Sequence, residues 1–136
     1  MNIVLDMNVL MSAIIKDSFT RSIITKSKHR FCVPETVFKT LLKYQSLILK
    51  KTNANSKDLD SLIDNLFSYI EILPLKTFEP YIKKSEKIMG DIDIEDAVFV
   101  ACALSLPNSA IWSNDKHLKK QNLVKVYNTD EILKVL

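Results

Sequence analysis

The sequence predicts an α/β fold: a three-layer α/β/α arrangement around a central, mostly parallel sheet of about five short strands. Short apolar runs recur along the chain, each followed by a stretch with helical spacing of its apolar residues. The runs do not alternate in polarity, as expected of strands covered on both faces. Strands that alternate with helices pair in parallel, each helix acting as the crossover. At 136 residues, 47% apolar and 26% charged, the chain has the size and composition of a single soluble domain spanning 1–136. Such a chain can bury roughly two-thirds of its unfolded surface.

In order, Ile3 to Leu5 reads as the first strand, with Asp6 at its end and a helix from Asn8 to Ile15. A second helix is expected over Thr20 to Ser27, running into the basic stretch KSKHR. Phe31 to Val33 gives the next strand. Pro34 suits the first turn of a helix, where its missing N–H costs nothing. Val37, Phe38, Leu41, Leu42, Ile48 and Leu49 continue that helix to Lys51. After a turn over Thr52 to Ser56, Leu59, Leu62, Ile63, Leu66, Phe67 and Ile70 recur at spacings of three and four, an amphipathic helix. Glu71 to Leu75 (EILPL) reads as a strand whose proline places it at an edge or makes it end there. Phe78, Tyr81, Ile82, Ile88 and Met89 mark a further helix, with Gly90 as its terminating C′ residue. Asp93 is a natural N-cap for the all-apolar helix that follows. A strand (Ala110 to Trp112), a short helix, a strand (Val124 to Tyr127) and a terminal helix (Thr129 to Leu136) complete the pattern.

Composition excludes several functions. Gly90 is the only glycine, so neither a phosphate-binding P-loop nor a dinucleotide fingerprint can be built. Cys32 and Cys102 lie in apolar runs and read as buried thiols; with no CxxC and only His29 and His117 available, a zinc site is not expected. The start, MNIVLDMN, has no basic n-region and reads as a strand rather than a signal peptide. The longest apolar run, Ala97 to Leu104, is too short to span a bilayer. No membrane association and a cytoplasmic location are therefore expected. A net charge of +3 with pI near 8.8 mildly favours a polyanionic partner.

The chemistry lies in the aspartates. Ligands of parallel α/β sheets bind at the carboxyl ends of the strands. Asp6 and Asp115 each follow an apolar strand, and Asp96 opens the apolar helix, so all three are expected at one sheet edge. Converging carboxylates raise each other's pKa unless a cation lies between them. Magnesium or manganese, held by a few carboxylates and several waters, is the usual resolution. Metal-dependent phosphodiester chemistry follows, set against the structural reading in which each aspartate only caps a helix or stabilises its first turn. Asp93, three residues before Asp96, can reach the same face or only cap. Glu95 reads as a solvated acid and Trp112 as core.

Three fragments in order, VLDMNVLMSAII, GDIDIEDAVFVACAL and WSNDKHLKK, resemble the PIN-domain nucleases over nearly the whole chain. Small archaeal PIN proteins, among them the VapC toxins of toxin–antitoxin pairs, are the nearest in appearance. The resemblance implies a PIN-like fold and a magnesium- or manganese-dependent endoribonuclease with Asp6, Asp96 and Asp115 as catalytic metal ligands and Asp93 as a further candidate ligand. Asn8 would position Asp6 or a water, and Ser113 would orient Asp115 or contact phosphate. Lys116, Lys119 and Lys120 are candidates for RNA phosphates. An antitoxin protein and a second copy of the chain are the implied partners. In one respect the chain departs from the family. A glutamate expected in the helix after the second strand falls at Thr40; Glu35 lies about 500° away along the helix, roughly 140° around it. The alternative is therefore a catalytically weak or inactive PIN-like module that binds RNA or a protein. A receiver domain or a haloacid-dehalogenase-like phosphatase also places an aspartate after its first strand. The receiver needs a further aspartate ending its third strand, where EILPL has none, and the dehalogenase pattern needs DxD where the chain reads DMN.

Overall fold

The computed structural model describes residues 1–15, 18–90 and 93–135. Its elements are β1 (Asn2–Leu5), α1 (Met7–Ile15), α2 (Ser18–Lys26), β2 (Arg30–Pro34), α3 (Val37–Lys43), α4 (Gln45–Thr52), α5 (Ser56–Phe67), β3 (Ile70–Leu73), α6 (Leu75–Phe78), α7 (Ile82–Met89), α8 (Ala97–Leu104), β4 (Ser109–Trp112), β5 (Lys125–Tyr127) and α9 (Thr129–Val135). Short 3-10 turns lie at Glu79–Tyr81, Ile94–Asp96 and Leu118–Lys120. Leu136, expected to end the last helix, falls outside the described residues.

The five strands form one sheet in the order β3-β2-β1-β4-β5. Every pairing is parallel, where a mostly parallel sheet was expected. From β1 the chain steps outward to β2 and β3, then crosses back to β4 on the other flank of β1. Right-handed crossovers that run in opposite directions place their helices on opposite faces of the sheet. The switch of direction falls between β1 and β4, where such sheets open a crevice at their carboxyl edge. The register Leu5↔Trp112 aligns the ends of these two strands. Asp6 and Ser113, the next residue of each, are therefore brought side by side.

The core explains why these strands are apolar throughout. Ile3, Val4, Leu5, Val33, Ile111 and Trp112 are inaccessible to solvent or nearly so. Helix α8 packs across β1, β2 and β4, and six of its residues, Ala97, Phe99, Val100, Ala101, Cys102 and Ala103, are buried. A helix apolar on all sides is one enclosed on all sides. Trp112 is core, its indole N–H donating to Thr129 Oγ1 at 3.1 Å. Cys32 and Cys102 are free and buried, and burial pushes both thiols up, leaving them unreactive. Local chemistry fixes the helix starts. Asn55 Oδ1 accepts the Asp58 N–H at 2.8 Å, capping α5. Asn128 and Glu131 exchange side-chain-to-backbone bonds at 2.9 and 3.1 Å, a capping box for α9. No described helix is long and apolar enough to cross a membrane.

Three expectations need correction. Pro34 ends β2, paired with Leu73, rather than starting a helix. In a parallel ladder alternate residues face opposite neighbours. Arg30 N–H bonds back to Met1 and Glu35 N–H to Leu73, so position 34 faces β1 beyond its last partner Cys32, and no ladder bond is lost. The helix expected through Lys51 is two, broken at Tyr44 (φ −102°, ψ 13°); nothing in the local sequence marks the break. Gly90 is not a left-handed C′ residue: its φ is −55°, and the Asp93 N–H bonds to Met89 O at 2.7 Å. Its missing side chain matters sterically, because a Cβ there would lie 2.9 Å from Glu86 O.

Candidate metal centre

Asp6 sits where β1 ends, almost wholly buried, its backbone N–H bonded to Trp112 O at 3.2 Å. One carboxylate oxygen accepts the Val9 N–H at 2.8 Å, so Asp6 caps the start of α1. The other accepts the Ser113 hydroxyl. Ser113 Oγ in turn accepts the Asp115 N–H at 3.0 Å. One buried hydroxyl thus connects two of the acids. Burial raises the Asp6 carboxyl above its ordinary range, although Ser113 and the backbone N–H groups of Val9 and Asn8 pull it down.

Asp93, Asp96 and Asp115 each offer a carboxylate oxygen, and the three oxygens lie within 4.8 Å of one another. Asp93 also accepts the Glu95 N–H at 3.0 Å and so caps the 3-10 turn before α8. Asp115 accepts the His117 N–H at 2.9 Å, which closes its loop and sets its carboxylate. Asp96 precedes Ala97 at the head of α8, and its Oδ2 is buried with no hydrogen-bond partner. Burial, then the charges of Asp93, Asp115 and Asp6, push the Asp96 carboxyl up to about 7.

An oxygen-only donor set suits a hard divalent cation. A spread of 4.8 Å is about twice a bond of roughly 2.0–2.6 Å from such an ion to oxygen. A buried carboxylate oxygen without a donor, facing three further acids, is what a cation would satisfy. The residues present therefore fit a hard divalent cation. Asp6 lies behind the trio, both of its oxygens engaged, and touches it through Ser113.

The remaining candidates fall out as follows. The Asn8 side chain is exposed, and only its backbone N–H serves Asp6. Lys116 and Lys119 line a groove with Ser113, Asp115 and Asn128, but Lys119 is paired with Glu131, and Lys120 is not part of that lining. Glu35 accepts the Leu75 N–H at 2.8 Å, tied to the far side of its turn. Thr40 lines a cleft with Met7, Glu95 and Asp96, so the position read as an acid in the resembling family does look onto this site. His29 Nε2 lies 2.7 Å from Val135 O, remote in role from the acids. Lys43 and Tyr44 line the Asp96 cleft without having been singled out in the sequence. Their signal was the spacing from Thr36 and Thr40 on a helix.

The sequence profile of the PIN domain matches residues 4–135. Among solved structures, a chain of VapBC2 from Rickettsia felis, crystallised bound to a DNA fragment from its promoter, superposes with a TM-score of 0.71. It is 16% identical, and the match covers 94% of this chain and 98% of that one. No curated protein matches the sequence significantly.

Proposed function

The chain belongs to the PIN-domain family, and from that premise we propose that it is a magnesium- or manganese-dependent endoribonuclease acting at Asp6, Asp93, Asp96 and Asp115. The observation that carries this reading is the orphaned, buried Oδ2 of Asp96 within a cluster of carboxylates. Asp93, Asp96 and Asp115 would hold the ion. When bound it would lower the pKa of an attacking water and neutralise charge on the phosphate. The protein's own part is placement. Ser113 keeps Asp6 and Asp115 in fixed relation, the Val9 N–H pins the remaining Asp6 oxygen, and the Asp93 cap anchors the turn that carries Asp96. Lys116, on the rim beside Asp115, is placed to meet a substrate phosphate.

Divalent-dependent cleavage of single-stranded RNA by the purified protein, lost in Asp6→Asn, is the expected result. Intact RNA with both proteins in manganese would overturn the reading. The likeness to a chain of a VapBC2 complex supports a cognate antitoxin as partner and, with it, the reading of this chain as the toxin of such a pair. The cytoplasm is the compartment in which that pairing would operate.

Thr40 favours a second reading, a weakly active or inactive module that keeps the fold and binds RNA or a protein, because α3 supplies a hydroxyl to the Asp96 cleft where a carboxylate would strengthen the site. Thr40→Glu distinguishes the two. It is expected to tighten manganese binding by about 10-fold or more in calorimetry, since one added carboxylate ligand shifts affinity on that scale. Unchanged affinity would mean that position 40 does not reach the ion.

A further inference from the structure

The acids stand between two openings of unlike character. Beside Asp115 the groove holds Lys116 together with Asp130. Beside Asp96 the α3 wall carries Thr36, Thr40, Lys43 and Tyr44 and contributes no acid. These positions are four, three and four residues apart from one another or from Thr40, and so share one helical face. Tyr44 N–H bonds to Thr40 O at 3.1 Å, which keeps that face continuous up to the break. At the break Tyr44 is 41% exposed, and Lys43 Nζ lies 5.4 Å from its ring centroid. Among the described residues Lys43 has no carboxylate partner.

A polyanion approaching four acids is repelled until something offsets its charge, so a cationic wall next to the acids has a purpose there. An aromatic ring has two faces, and Lys43 covers one of them. An exposed ring beside an unpaired ammonium suits a single strand, with a base on the ring and its phosphate on the cation. Bases held in a duplex would not be free to reach the ring.

We propose that Lys43 and Tyr44 grip single-stranded RNA in this cleft, Tyr44 stacking one base and Lys43 neutralising the adjoining phosphate, so that the next phosphodiester is delivered to Asp96. The assignment rests on the nuclease reading and names the residues that hold its substrate.

The test is fluorescence anisotropy with a short labelled single-stranded RNA of mixed sequence, using Asp6→Asn protein in manganese so that the probe stays intact. Tyr44→Ala, and the bulkier Tyr44→Leu as a check on folding, are expected to weaken binding about 5- to 100-fold, while Tyr44→Phe keeps it. Lys43→Gln is expected to lower the slope of log affinity against log salt by about 0.7, the contribution of one phosphate contact on a single strand, with Lys43→Arg retaining it. In otherwise wild-type protein the same changes raise KM and leave kcat within about twofold, since the grip is equal in ground and transition states. Unchanged affinity and salt slope in Tyr44→Leu and Lys43→Gln would overturn the proposal while cleavage by the wild type still stood. Equal, pair-dependent binding of duplex RNA would overturn the single-strand assignment. Pair-dependent binding without any cleavage would uphold the grip and sink the nuclease reading instead.

Discussion

Asp96→Asn is expected to abolish divalent-dependent cleavage, by at least about 1000-fold, and at the same time to make the metal-free protein more stable. Both effects come from one carboxylate. With an ion bound as proposed, Asp96 would supply a ligand and charge that an amide cannot, and losing electrostatic stabilisation at the reacting phosphate costs on that scale. Without the ion, the carboxylate is half-buried, has an oxygen with no donor and faces Asp93, Asp115 and Asp6. Asparagine removes the charge and offers N–H groups to those neighbours.

The sign with pH follows from the raised carboxyl, about 7 in the fold against an ordinary 3.8. The proton held there stabilises the metal-free fold fully below about 3.8, and this contribution is lost as pH rises through about 7. The melting temperature in chelator should therefore fall across that window in the wild type and fall less in Asp96→Asn. Solvent screening at a half-open position limits the gain near pH 8 to about 1 kcal/mol, or roughly 2–5 °C. Manganese should raise the wild-type melting temperature more at about pH 8 than at about pH 5, because it must displace the proton. Parallel melting curves for the two proteins at every pH would show that Asp96 carries no strain of this kind.

Ser113→Ala should cost both activity and stability although none of the proposed metal ligands is itself replaced. The hydroxyl donates to Asp6 and accepts from the Asp115 N–H. Its removal strands a buried carboxylate oxygen and a backbone N–H, a loss of about 1.5–3 kcal/mol for a bond to a charged group. Groups that orient ligands in this way typically account for about 10- to 100-fold in metal affinity or activity. Ser113 also holds the Asp6 carboxyl down against its burial. Without it Asp6 rises further, so the acid limb of the pH–rate profile should move to higher pH. A profile that merely drops in height, with its limb unmoved, would assign Ser113 a packing role alone.

What could be read from the chain, and what could not, divides along sequence distance. The strand ending at Asp6, the buried α8 behind Asp96 and the strand before Ser113 are local patterns, legible because each apolar run fits one element. Thr40 was singled out only through the family resemblance, and the fold places it in the cleft beside Asp96. The Ser113 bridge was only half visible. Its bond to Asp115 spans two residues, but its bond to Asp6 depends on β1 pairing with β4, which no local pattern reveals. Pro34 misled because the same fixed φ and missing N–H serve a helix start and a strand end, and only the neighbouring strands decide between them. The break at Tyr44 left no trace in composition, and with it the Lys43–Tyr44 pair stayed hidden.

The central place of β1 also governs when the site can exist during synthesis. Asp6 leaves the ribosome well before its hydroxyl partner, which follows 107 residues later. Until β4 emerges, the first strand has β2 on one side and an open edge on the other. A nascent chain at that stage therefore lacks the geometry that brings these aspartates together. The cluster comes into being only when β4 inserts beside β1, so any activity of this site waits on the pairing of those two strands.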